Sequence, residues 1–512
     1  MKTRVDRMMI NTAYIYVVLP LIIFLSGWLK WHFAIFSVSI VCISIYYALK
    51  QYNDLLPINF SKNIYRAVIV VAIIALWVLF SGIGGYSLQT SDQHYRNAVL
   101  RDLIDQDWPV IYNIQKLEAS NILQGRDSML VYYVGYWLPS AVVGKLFGWE
   151  AANFTLFLWT VMGLTLVFYF ICRMFKKFSF MLLLVFIFWG TLYELGALIK
   201  FPAIDLLLNE YNLWAGSMVY AGGNTGLIYW VFNQTITSWL ILVLILNNIP
   251  KSNLIFLYTL CFFQSPFAFL GMFPYVLYII LKDCTSFVCV LKEIKPHLSF
   301  QNTAGTLTIF AITAIYFSSN TAAGHFSFLV RDIDDYMYFI FLTFGIIAIL
   351  IFNKYKREPF YYLSILILLP LPFFQMGYGL DFCARVSIPS FFLLMLLVMK
   401  YLFEEPRNIM KKAVVAWLVV SSFQSIQHMA RSIGITSFQY LAQADTNVGV
   451  RLAKTNNSFF KKIGIKIIAA KKENLIIKDE IKTLSNPSPS MVNFMGLTDH
   501  SFFYQYLAKK QK

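Results

Sequence analysis

Long apolar runs recur almost from end to end of this chain, separated by short polar connections, and they constrain its fold more than any other feature. Inside a bilayer every backbone N–H and C=O must be satisfied within the protein, which leaves helices or closed barrels. A barrel needs strands of about ten residues that alternate polar and apolar. Unbroken runs approaching the roughly 17–20 residues of a spanning helix are instead read as helices. The candidates are Tyr14–Trp28, Trp31–Leu49, Tyr65–Ser81, Ala151–Cys172, Phe178–Ile199, Leu227–Leu246, Gly305–Ser319, Tyr336–Phe352, Phe360–Met376, Val386–Leu402 and Ala413–Met429. The run Leu254–Leu281 carries Pro266 and Pro274 and is long for one helix, so it reads as two short helices in a hairpin. The expectation is an all-α polytopic membrane protein with about 11–13 spans.

Composition agrees. Hydrophobic residues make up 58% and charged residues only 13%, against about a quarter charged in soluble domains. So few charges cannot cover a water-facing surface of 512 residues. The six cysteines are scattered with no CxxC pair, and read as small buried hydrophobes rather than a disulfide frame or metal site. The net charge of +16 sits in loops between apolar runs, which is the signature of membrane topology and not of a nucleic-acid partner.

Positive charge orients the spans. The N-terminus, Lys50–Lys62–Arg66, Arg173–Lys176–Lys177, Lys251, Lys282–Lys292–Lys295, Lys354–Lys356–Arg357 and Arg407–Lys411–Lys412 all fall on the cytoplasmic side, provided that Leu130–Phe147 does not cross. That segment is broken by Gly135, Pro139 and Gly144, and its aromatic run Tyr132, Tyr133, Tyr136, Trp137 suits an interfacial helix on the outer face. The N-terminus reads as a retained signal anchor. The predicted organisation is a transmembrane domain over 1–430, with a long outer loop at 82–147, and an extracytoplasmic tail over 431–512. Lys461–Ala469 and Asn474–Ile481 in the tail look like a small hairpin, giving it an α/β character. The N-terminus is then inside, the C-terminus outside.

Scarce acids gather on the outer side, most densely in SDQHYRNAVLRDLIDQDWPVIYN of the first loop. Ser91 is placed to cap a helix starting at Asp92, where a carboxylate suits the positive dipole end. Asp92 and Arg96 are four apart, and Gln93, Asn97 and Arg101 share an adjacent strip. His94 adds a group that titrates near neutrality. Either a structural salt-bridge network or a reaction centre fits. A second constellation is GYGLDFCARVSIP, where Asp381 and Arg385 stand one helical turn apart at the mouth of a span. It is either a self-satisfied pair or a phosphate site, since the guanidinium matches phosphate with two parallel hydrogen bonds. Asp332, Asp334 and Asp335 are a weaker constellation: they read first as a solvated loop, and otherwise as hard oxygen ligands for a divalent cation. AGGNTG and GIGG lack the Lys-Ser/Thr of a phosphate-cradling loop and read as turns.

An apolar start, a long first outer loop with an acid just past the preceding span, an aromatic-Pro interfacial segment and a span ending in basic residues resembles the GT-C superfamily of polytopic glycosyltransferases. Asp92 in SDQHY looks like the first-loop acid of that family, and YYVGYWLPSAVVGKLFG like its interfacial helices, with Gln93 where many members have a second acid. The resemblance implies sugar transfer from a polyprenyl-phosphate donor to a lipid, glycan or protein acceptor on the outer face of a bacterial cytoplasmic membrane. It also implies Asp92 as the catalytic carboxylate, acting as base or metal ligand, and brings in magnesium or manganese as candidate cofactor. His94, Arg96, Asn97, Arg101, Asp381 and Arg385 are the candidates for holding the substrate and its phosphate, and membrane lipids are the other expected partners. The rival readings are a lipid-linked oligosaccharide polymerase or ligase, and a flippase or transporter, which would place charges midway through spans.

Overall fold

The structure, a computed structural model, describes all residues except 1, 52–63, 115–122, 124, 201–217, 221, 248, 285–288, 290–292, 323, 325, 378–379, 445–450, 452–453, 455–460, 462–482, 485–492 and 511–512. Among the described residues, seven helices are long and apolar enough to cross a membrane: Val5–Trp28, Trp31–Lys50, Trp149–Met174, Asn224–Leu246, Ile333–Tyr355, Asp381–Glu404 and Ile409–Ser437. The protein is an all-α integral membrane protein of the multi-pass kind. The remaining expected spans are shorter or broken. Tyr65–Leu79, Pro266–Leu281 and Pro359–Phe373 are short apolar helices, and Phe180–Phe188 and Tyr193–Lys200 form one run bent by 42°.

Each break has a local cause. At the bend, an added Cβ on Gly190 would sit 2.3 Å from the Ser421 carbonyl oxygen, so two backbones touch there. The Thr191 N–H freed by the break donates to Gln424 Oε1 at 2.9 Å, as irregular backbone at membrane depth requires. The 254–281 run divides at Ser265, whose φ of −149° and ψ of 70° leave the helical region just before Pro266 starts the next helix. Within Asn224–Leu246, Val231 departs from helical geometry (φ −141°, ψ 28°) and kinks an almost wholly buried helix.

Leu130–Phe147 forms a 3-10 turn, Val134–Trp137, and a ten-residue helix, Leu138–Phe147. Its aromatic residues Tyr136 and Trp137 are buried inside the protein instead of lying exposed at an interface. Glycines allow the burial: an added Cβ on Gly135 would come within 2.7 Å of Phe263, and one on Gly144 within 2.7 Å of Ile104.

The end of the bundle that carries this loop is capped by a small sheet of β1 (Ile111–Ile114), β2 (Arg126–Leu130) and a tail strand, Met495–Leu497. The tail strand pairs antiparallel with β2, placing Met129 opposite Gly496. Beyond it the backbone returns to the first helical hairpin, where Ala508 bridges Leu29 and Lys509 N–H donates to the Trp28 carbonyl. The predicted tail hairpin falls almost wholly outside the described residues. The opposite end collects the basic loops: Arg173 lies 3.7 Å from Asp6, Lys354 is 2.7 Å from Glu405, and Lys251 pairs with Glu293.

Asp102 ties the tail to the loop. Its Oδ2 accepts from the Tyr112 hydroxyl at 2.7 Å and from Leu484 N–H at 2.9 Å, and its Oδ1 from Gln106 at 3.3 Å. Burial pushes this carboxyl above the usual carboxylate range, and the hydrogen bonds oppose the shift. A folded-state value above the unfolded one means that its contribution to stability is present at low pH and is lost as pH rises through the raised value. Asp102→Ala, which strands two buried donors at about 1–3 kcal/mol each, is expected to lower the thermal unfolding temperature and to open the tail to protease. Asp102→Asn keeps much of the network and should flatten the pH dependence; a wild-type stability profile for Asp102→Ala would contradict the assignment.

Candidate active site

Two short helical starts bring two arginine–carboxylate pairs to the loop end of the bundle. The first-loop helix runs from Gln93 to Asp105. Asp92, not Ser91, immediately precedes it; the Asp92 backbone is already helical (φ −64°, ψ −18°) and its side chain caps nothing. Its carboxylate instead lies 3.2 Å from the Arg96 guanidinium. Arg96 is inserted into the bundle: it donates to the Trp230 carbonyl beside the kink at Val231, and its guanidinium carbon is 5.4 Å from the Phe232 ring centroid. The kink therefore leaves a spanning-helix carbonyl available to a first-loop cation.

The second pair is Asp381–Arg385, on the first turn of Asp381–Glu404, and it forms an ion pair. The two pairs share one asymmetry. The side chains of Arg96 and Arg385 are 5% and 6% exposed, while those of Asp92 and Asp381 are 49% and 51% exposed. Cations are held inside, and carboxylates face outward. Among the described residues, Arg96 Nη1 and Arg385 Nε have no hydrogen-bond partner. Buried guanidinium donors without acceptors are expensive.

Beside the second pair stand Tyr132 and Tyr133. The Arg385 guanidinium lies over the Tyr133 ring at 5.7 Å, and the two tyrosine rings are 3.8 Å apart. Tyr132 is within electrostatic reach of both Arg385 and Arg96. Its backbone is clamped by Tyr316, whose hydroxyl accepts from Tyr132 N–H at 3.1 Å and donates to the Leu130 carbonyl at 3.0 Å. Arg385 thus faces the first loop.

Tyr132, Tyr133 and Asp381 are among the residues that line a cavity of about 370 Å³. Its walls are apolar, with Phe262, Pro266, Phe267, Leu270 and Phe317 from three neighbouring helices. Leu270 is exposed on the surface of the bundle, as are Phe273 and Leu277 further along the same helix. The cavity therefore adjoins the lipid-facing flank and ends in polar groups.

The other expected site residues do not share this geometry. Asn97 turns inward and donates to Gln89 at 2.9 Å, and Gln89 in turn donates to the Gly82 carbonyl, so it fastens the turn after the third helix. Arg101 lies over the Trp149 ring at 4.3 Å. His94 is half-buried in the first turn of the loop helix. Asp332 caps the helix at Ile333, accepting from the N–H groups of Asp334 and Asp335 at 3.0 Å, and Asp335 pairs with Lys200 at 2.5 Å. Among the described residues no three His, Cys, Asp or Glu side chains converge as metal ligands.

Sequence reasoning placed Tyr132 and Tyr133 at a membrane surface, since an aromatic run reads that way. The usable signal was two adjacent hydroxyl-bearing aromatics in a loop otherwise rich in charge.

Arg385 is positioned by close packing. An added Cβ on Gly271 would lie 2.0 Å from the carbonyl oxygen of Val386, the next residue. Gly271→Ala must push these helices apart, at a cost of about 1–3 kcal/mol, and is expected to lower thermal stability. Unchanged unfolding would show that the contact is slack.

No known protein family model matches the chain, nor does any curated protein or solved structure.

Proposed function

We propose that the protein is a membrane glycosyltransferase of GT-C type, which moves a sugar from a polyprenyl-phosphate donor to an acceptor hydroxyl at the outer membrane surface. The observation that supports this reading is a buried arginine, Arg385, set behind Tyr133 and Asp381, two residues that line an apolar, lipid-adjacent cavity. A lipid-linked donor has the matching polarity, a long apolar tail ending in a phosphate.

In the proposed reaction the acceptor oxygen attacks the anomeric carbon and its proton passes to Asp92. The bond from that carbon to the phosphate oxygen breaks, and its electron pair leaves with the phosphate, where Arg385 and Arg96 stabilise the charge. Asp381 orients Arg385. A divalent cation belongs to this proposal only as a factor to be varied in the assay.

The protein reconstituted in liposomes, given a series of labelled sugars on polyprenyl phosphate with and without chelator, is expected to release label from at least one donor. Failure with every donor, in protein that binds the carrier, would defeat the reading. The orientation proposed is N-terminus inside and loop end outside. Single cysteines in a Cys-free background at the exposed positions Asp105 and Lys177 are expected to label from opposite faces. Labelling from one face would overturn the topology.

A further inference from the structure

The Tyr132–Tyr133 pair has a place in the site that neither its hydrophobic burial nor a membrane-interface role explains. Both residues line the cavity, as does Asp381. Their rings lie 3.8 Å apart, one of them under the Arg385 guanidinium at 5.7 Å. The pair is rigid: Tyr316 fixes the Tyr132 backbone, and the Tyr132 ring packs at 4.5 Å against Phe494 of the tail. A rigid pair of phenols beside Arg385, one of them also within electrostatic reach of Arg96, is arranged to meet an anion.

We propose that Tyr132 and Tyr133 donate hydrogen bonds to the phosphate of a lipid carrier in this cavity, next to Arg385, and so make the cavity select phosphorylated over neutral polyprenyl lipids. This rests on the donor class named above and assigns the pair a specificity role in binding it. Burial supports the direction of these bonds. It keeps both phenols above their ordinary value even though Arg385 pulls the other way. Both therefore remain protonated donors at neutral pH and do not serve as bases. A tyrosine ring over a guanidinium also limits that cation to in-plane approach, which matches the fork geometry of phosphate recognition.

The test is binding, read without turnover. Wild type, Tyr132→Phe, Tyr133→Phe and the double variant are titrated in nanodiscs with polyprenyl phosphate, polyprenol of the same length and inorganic phosphate, followed by thermal unfolding. The expected result is that wild type prefers polyprenyl phosphate over polyprenol. Each Phe substitution should weaken the phosphorylated lipid roughly tenfold, with polyprenol binding unchanged as the control for an intact cavity. Retained wild-type affinity for polyprenyl phosphate in the double variant would overturn the role of the pair while leaving the donor assignment standing. Equal binding of polyprenol and polyprenyl phosphate by wild type would overturn both. Should a Phe variant not fold, 3-fluorotyrosine incorporated into wild type decides. Fluorine resonances at positions 132 and 133 must shift with polyprenyl phosphate and not with polyprenol, and identical responses to both lipids would refute the proposal.

Discussion

Asp92→Asn is expected to lower sugar transfer by about 10²–10⁴-fold, the usual contribution of a positioned general base, with membrane expression unchanged. The side chain is half exposed, and its Arg96 partner keeps the Trp230 carbonyl and the Phe232 ring when the charge is removed. A folding defect is therefore not the expected outcome. Asp105→Asn is the comparison, because Asp105 is exposed on the same helix, and it should be mild. Equal losses from the two substitutions would point to loop folding, and full activity in Asp92→Asn would remove the residue from the reaction.

Arg385→Lys should cost about 10²–10³-fold in kcat, comparable to losing one preorganised donor to a developing oxyanion. Lysine keeps the charge and can still reach Asp381, but it loses the planar fork and the stacking on Tyr133. Asp381→Asn leaves the guanidinium in place under weaker restraint, so a smaller loss is expected, and mainly in KM. If Arg385→Lys behaves as wild type, the guanidinium is a structural counter-ion and the phosphate site lies elsewhere. Steady-state rates with a single donor separate these outcomes.

Much of the bundle is legible in the apolar runs because lipid imposes one rule on all of them. The hairpin break at Pro266 and the shortness of the helix within Leu130–Phe147 follow from proline and glycine alone. What the sequence conceals is tertiary. Nothing in the run from Asn224 to Leu246 announces that Val231 leaves the helix and frees a carbonyl for Arg96, since β-branched valine is ordinary in a span. The i, i+4 spacing of both arginine–carboxylate pairs is readable, and both form. That spacing equally suits a solvated helix surface, and only the fold shows that each arginine is buried while its acid is not. Asn97 and Arg101 share a strip with Gln93 on a helical wheel, yet Asn97 fastens Gln89 and Arg101 stacks on Trp149. Helical spacing predicts neighbours along one helix and is silent about which neighbouring element each face meets.

The fate of a donor labelled separately on sugar and phosphate tests the central claim most directly. Wild-type protein in sealed liposomes is given polyprenyl phosphate carrying a tritiated sugar and a ³²P phosphate, and the two labels are followed in the lipid and aqueous phases. Transfer predicts that the labels part, with tritium moving to an acceptor or to water while ³²P stays on the lipid. Labels that remain together, with the intact donor moved from one leaflet to the other, would identify a lipid transporter and contradict the account.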